Sequence, residues 1–174
     1  MSRRTRTVAL LLAALAPGGA CLMAQAAPAR PSCKEAIFRQ FDFWVGSWVV
    51  LSGTDTAGTN QVTLEEDGCI VHEHWTGSKG GTGQSFNFYD RQDGKWHQVW
   101  VDNAGSVLRL SGELVGNQLR LTGETARRNG TKVLHRLSFT NNADGTVRQF
   151  WESSPDLGKT WTTTFDGVYR RAAR

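Results

Sequence analysis

The chain lacks most of what would announce a chemistry. There is no G-x-S-x-G and no P-loop spacing in its one glycine-rich loop, GSKGGTG. Cysteine is scarce, with three in all. No apolar run approaches the length of a membrane-spanning helix; the longest, VALLLAALA, sits at the N-terminus between Arg3, Arg4, Arg6 and the small-residue site Ala24-Gln25-Ala26. A basic head, a short apolar centre and an A-x-A site read as a secretory signal peptide over residues 1–26. That reading predicts a periplasmic or secreted protein. Lipid attachment at Cys21 is a weaker alternative, because Leu is missing three residues before it, and Arg3-Arg4 fits twin-arginine export poorly.

A strong charge of either sign is also lacking. Lys and Arg number 20 against 16 Asp and Glu, and the leader removes three Arg and no acid, which leaves 17 against 16. The pI of about 9.3 therefore belongs largely to the leader, and no nucleic-acid partner is expected. Once Cys21 leaves, Cys33 and Cys69 remain. Two thiols cannot build a tetrahedral metal site, and in an exported protein they predict a disulfide.

Helical periodicity is absent after Phe43. Only Ser32 to Gln40 reads as a short helix, with Ser32 as cap and Glu35 three residues on. What the chain has instead is alternation. Ten strands are expected at Ser47–Leu51, Asn60–Glu65, Ile70–Trp75, Ser85–Tyr89, Trp96–Val101, Val107–Gly112, Gln118–Gly123, Lys132–Thr140, Val147–Glu152 and Thr160–Tyr169. Turn sequences such as EEDG, DRQDG, DNAG and NNADG separate them. Short links without helical crossovers predict an all-β fold, a single antiparallel up-and-down barrel occupying residues 27–174. A sandwich is the alternative. The strands are short for an outer-membrane barrel and neither face is a clean apolar band.

The stretch FDFWVGSW, Phe41 to Trp48, precedes the first strand, and its Gly46-Ser47-Trp48 resembles the Gly-x-Trp signature of lipocalins and their calycin relatives. The resemblance implies that Trp44 and Trp48 plug one barrel end and that an Arg near the end of the last strand, Arg170 or its neighbour Arg171, packs on the Trp. The set FDFWVGSW, EHWTG, QSFNFYD, WHQVWVDNAG, FWESSPDLGKTW and FDGVYRR resembles a family of exported bacterial proteins of unknown function with a lipocalin-like barrel. That resemblance implies the barrel and the compartment, and no activity.

SPDLGKTW fits S-x-D-x-G-x-T-W, the Asp-box known from sialidase propellers. A propeller would repeat it; here it occurs once. It reads as a hairpin staple in which Ser154, Asp156, Gly158 and Trp161 organise a turn.

Period two also places mixed aromatic and polar residues on one face of successive strands: Val71, Glu73 and Trp75; Ser85, Asn87 and Tyr89; Trp96, Gln98, Trp100 and Asp102; Gln149, Trp151 and Ser153. Large rings beside a few amides and carboxylates suit a pocket for a small apolar or amphipathic molecule. The expected ligand contacts are Glu73, Trp75, Asn87, Tyr89, Gln98, Trp100 and Trp151. A filled barrel acting as an interaction module is the second reading, and an enzyme using Glu73 and Asp102 as acid and base is the third. Phe86, Phe88, Val99 and Val101 on the opposite face leave a homodimer open. His72-x-His74 lies on that outer face and reads as an exposed pair, with His97 or His135 as a third ligand only if register brings them close. No metal and no cofactor are expected.

Overall fold

A computed structural model describes residues 32–173; the expected leader lies outside them. Ten antiparallel strands form a closed barrel. They are β1 (Gly46–Ser52), β2 (Asp55–Glu65), β3 (Ile70–Gly77), β4 (Thr82–Asp90), β5 (Lys95–Asp102), β6 (Val107–Val115), β7 (Gln118–Ala126), β8 (Lys132–Asn141), β9 (Val147–Ser154) and β10 (Thr162–Arg171). Each strand pairs with its neighbours in sequence. The barrel closes because β1 pairs with β10, Trp48 opposite Arg171 and Val50 opposite Tyr169. Closure leaves no free edge for another chain to pair with.

The hairpins repeat one device. Asp93 Oδ1 accepts the Lys95 amide (3.0 Å), Asn129 Oδ1 that of Thr131 (3.0 Å) and Asp144 Oδ1 that of Thr146 (3.0 Å). The residue between is glycine each time, at φ +70° to +83°, a conformation an L side chain resists.

The interior is apolar at one end. Trp44, Trp48, Trp96, Phe41, Phe139 and Tyr169 are almost wholly buried there. Phe41 stacks on Trp44 with centroids 4.9 Å apart, and Trp44 meets Phe139 at 4.5 Å. The chain before β1 supplies this plug. The expected helix over Ser32–Gln40 is instead two 3-10 turns, Ala36–Arg39 and Asp42–Trp44, and no Ser32 cap forms. The reason is spacing: Phe38, Phe41 and Trp44 are all buried, and a repeat of three keeps them on one side only at three residues per turn. A disulfide joins Cys33 to Cys69 beside the turn between β2 and β3, which ties the plug segment to the barrel wall. The Arg39 guanidinium reinforces that tie through the Gly68 carbonyl.

The arginine over Trp48 is Arg171, with its guanidinium carbon 3.9 Å from the ring centroid; Arg170 does not hold this position. Arg171 Nη1 also donates to the Val45 carbonyl (2.6 Å). Parity explains the difference. Tyr169 points inward, so Arg171, two residues on, shares its face and Arg170 does not. Gly46 leaves space for the guanidinium: a methyl group there would stand 1.9 Å from Arg171 Nη1.

Candidate functional site

Beyond the plug the barrel is hollow. A cavity of about 230 Å³ opens at the end formed by the β3–β4, β5–β6 and β9–β10 hairpins. Its floor is Tyr169, whose hydroxyl donates to Gln149 Oε1. Trp75, Trp100, Trp151 and Phe165 make the upper wall and are half-buried. Glycines on the inner face give these rings room: Gly58 lies under Trp75 and Gly167 under Phe165, where an added methyl group would meet the rings at 2.8 Å and 2.5 Å.

Of the seven expected ligand residues, Glu73, Trp75, Gln98, Trp100 and Trp151 line this one cavity. Asn87 and Tyr89 do not. Asn87 lies beneath the wall with its amide committed: Nδ2 donates to the Val71 carbonyl (2.9 Å) and Ser85 Oγ (2.9 Å), while Oδ1 accepts from Gln98 Nε2 (2.8 Å). It orients Gln98. Tyr89 belongs to the plug end, edge-on to Phe38 at 5.4 Å and to Trp96 at 6.2 Å. Period two gives the face of a residue and not its depth along the barrel, so both share a face with the cavity without reaching it. Leu108, Leu137, Thr164, Phe165 and Tyr169 also line the cavity and were not anticipated there. Alternation through Phe165-Asp166-Gly167-Val168-Tyr169 carried the signal for two of them.

Glu73 sits on β3 with almost no exposure. Its Oε1 accepts from Asn60 Nδ2 (2.7 Å) and its Oε2 from Ser85 Oγ–H (2.6 Å). Burial drives its carboxyl up to about 7, against the pull of those hydrogen bonds and of nearby His72. Burial and the Glu73 charge also push the Tyr169 phenol well above its usual range.

Asp102, on the rim, behaves in the opposite way. Burial opposes its ionisation, but the Ser106 and Ala104 amides donate to Oδ1 at 2.9 and 3.0 Å and hold it below the ordinary aspartate value. Glu73 and Asp102 thus line one cavity with separated tendencies, and among the described residues no Lys, Arg or His lines it with them. On the far side of Trp151 the indole N–H donates to His135 Nδ1 (3.2 Å), and His135 Nε2 meets Thr125 Oγ1 at 2.8 Å. Burial lowers the pKa of His135, which keeps the acceptor that fixes the Trp151 ring.

Two loops frame the mouth. The GSKGGTG segment forms a tight hairpin. Gly77 N–H donates to the Gly81 carbonyl (2.7 Å), and Asn103 binds both the Gly80 carbonyl (3.1 Å) and the Thr82 amide (3.1 Å). In the β9–β10 hairpin, Asp156 accepts from Ser154 Oγ (2.7 Å), Thr160 N (2.9 Å) and Thr160 Oγ1 (2.6 Å). These bonds pull its pKa to about 2. Trp161 Nε1 donates to the Gly158 carbonyl (3.1 Å), and Arg136 covers the Trp161 ring at 4.1 Å.

On the outer wall, His72 is not exposed. It retains 7% of its accessible surface, stacked on Phe86 with centroids 4.4 Å apart and planes 11° apart. Its register partner on β4 is Phe86 itself, a pairing that the sequence of β3 alone does not reveal.

Fold and site define a closed ten-stranded antiparallel barrel with an aromatic plug at one end and an acidic, tryptophan-walled cavity at the other. No protein-family model matches the chain, and no curated protein matches it either. Among the described residues no helix is long and apolar enough to cross a membrane.

Proposed function

We propose that the protein is an exported, non-catalytic binder of a small amphipathic molecule, built on a lipocalin-like barrel, and that the polar end of its ligand is a cation. The observation that carries this reading is the composition of the cavity. Trp75, Trp100, Trp151 and Phe165 face it with the two carboxylates of Glu73 and Asp102 and, among the described residues, no basic side chain. Indole faces and carboxylates both attract a positive charge, and the rings bury an apolar body. At about 230 Å³ the cavity is smaller than the common range for ligand pockets, roughly 300–1,000 Å³, so the ligand is small. The Cys33–Cys69 disulfide and the leader sequence support export.

Catalysis by Glu73 and Asp102 is less well supported. Asp102 is held ionised by loop amides, which suits fixed charge better than proton transfer. The exposed Phe86 and Val101 on the outer face favour an interface between copies as a second reading; sedimentation showing a monomer at high concentration rejects it.

The test is a head-group series on one short alkyl body: hexyltrimethylammonium, hexanol and hexanesulfonate. Each is titrated against tryptophan fluorescence, after native mass spectrometry of the exported chain to detect any resident ligand. The reading expects affinity in the order cation, alcohol, anion, with Trp100→Ala weakening the cation by tenfold or more. Equal affinity for all three heads would remove the cation. No binding by the series and no resident mass would remove the binder.

A further inference from the structure

We infer that the outer wall of the barrel carries a binding site for a divalent zinc-type cation, formed by Glu65, His72 and His74. It lies on the opposite face of β3 from the cavity and is independent of what the cavity binds. One donor atom from each of Glu65, His72 and His74 lies within 4.8 Å of the other two, and His72 Nδ1 contacts both Glu65 Oε1 and His74 Nε2. Alternation on β3 puts both imidazoles on the outer face. Thr63 on β2 stands opposite His72, so Glu65, two residues on, shares that face.

The distances suit a small tetrahedral ion. His72 Nδ1 is 3.3 Å from His74 Nε2, and two ligands on zinc bonds of about 2.0–2.1 Å in tetrahedral geometry stand roughly 3.3–3.4 Å apart. His72 Nδ1 is 2.7 Å from Glu65 Oε1, a hydrogen-bond distance that must open by about 0.6 Å to meet the same zinc geometry. Glu65 is the ligand free to do so, since its side chain is 42% exposed.

The surroundings are those of a held ligand. His72 Nε2 donates to Gln84 Oε1 (3.0 Å), which leaves Nδ1 facing the cluster and fixes the ring plane, the part an outer-shell carbonyl plays at metal sites. Phe86 holds the ring from its other side, and Thr63 Oγ1 donates to Glu65 Oε1 (3.0 Å). His74 is exposed, so an ion has an entry path, and three protein ligands leave a further position for water or an external donor. Two imidazoles and one carboxylate prefer zinc or copper to calcium or magnesium. A second group, Asp90, Asp93 and His97, offers one imidazole, and the hairpin already engages it: Asp93 Oδ2 binds His97 (2.9 Å) and Oδ1 the Lys95 amide (3.0 Å).

A proton between His72 and Glu65 satisfies the same contact, so the experiment must separate metal from proton. Calorimetry of ZnCl2 into the EDTA-stripped chain, prepared without a histidine tag, is expected to show one saturable equivalent that excess MgCl2 does not displace. His74→Ala, an exposed position that leaves the wall intact, is expected to abolish it. Gln84→Ala is expected to weaken it by about 10–100-fold, the usual effect of an outer-shell partner. Loading with CoCl2 is expected to give the visible absorption of tetrahedral cobalt, lost in Glu65→Gln. Absence of saturable zinc binding would overturn the site, as would binding untouched by His74→Ala and lost in His97→Ala.

Discussion

The ring of Trp100 lies directly over Gly83, across the β4–β5 pair. A methyl group on Gly83 would stand 2.3 Å from the indole, and 2.9 Å from the Val101 carbonyl. The glycine is thus part of the cavity wall, although it contributes no side chain to it.

Gly83→Ala is expected to destabilise the barrel by about 1–3 kcal/mol, the cost of overpacking a filled position, and to tip Trp100 toward the mouth. Thermal unfolding reads the first effect, and the emission maximum of the protein with Trp75→Phe and Trp151→Phe as background reads the second. A substitution that leaves both unchanged would mean that the ring has room to spare.

Glu73 sets a dependence of stability on pH. Its folded value of about 7 lies above the ordinary one near 4.3, so the folded state holds the extra proton. Stability is therefore full below about pH 4 and declines as pH rises through 7, by about 4 kcal/mol in all. Glu73→Gln keeps an acceptor for Asn60 and a donor for Ser85 while removing the charge. It is expected to raise the unfolding temperature at pH 8 and to change it little at pH 4. A Glu73→Gln variant that loses stability at pH 8, and more there than at pH 4, would show that the folded state favours the carboxylate and would overturn the raised value.

The two arginines at the end of β10 are expected to behave differently. Arg171→Ala removes the cation over Trp48 and the bond to the Val45 carbonyl, and a loss of about 1 kcal/mol is expected for such an exposed contact. Arg170→Ala, on the other parity, is expected to stay within about 0.5 kcal/mol of the parent. Urea unfolding of both variants decides, and equal effects would dismiss Arg171 as a clamp.

Most of the barrel was legible because one physical rule, alternation, governs every strand. It put Glu73, Trp75, Gln98, Trp100 and Trp151 inside and His72 and Phe86 outside, and the Asp-Gly and Asn-Gly turns marked the hairpins. Less legible was anything that depends on distance along the barrel or on contact between strands. Asn87 and Glu73 obey the same alternation, yet one sits under the wall and the other in it. His72 is covered because register sets Phe86 beside it, and register is a property of two strands. The segment before β1 misled for a third reason: Ser32 and Glu35 look like a helix cap, but burial of Phe38, Phe41 and Trp44 at intervals of three overrode that local signal.

The seam between β1 and β10 has a bearing on how the molecule is made. Arg171 reaches Val45 across 126 positions of chain, and the Ala172 amide donates to the Ser47 carbonyl (2.9 Å). Until β10 has been made, β1 has only one neighbour and the aromatic plug lacks Tyr169. Closure is therefore a single late event: the first nine strands wait on β10 for both the seam and the last ring of the plug.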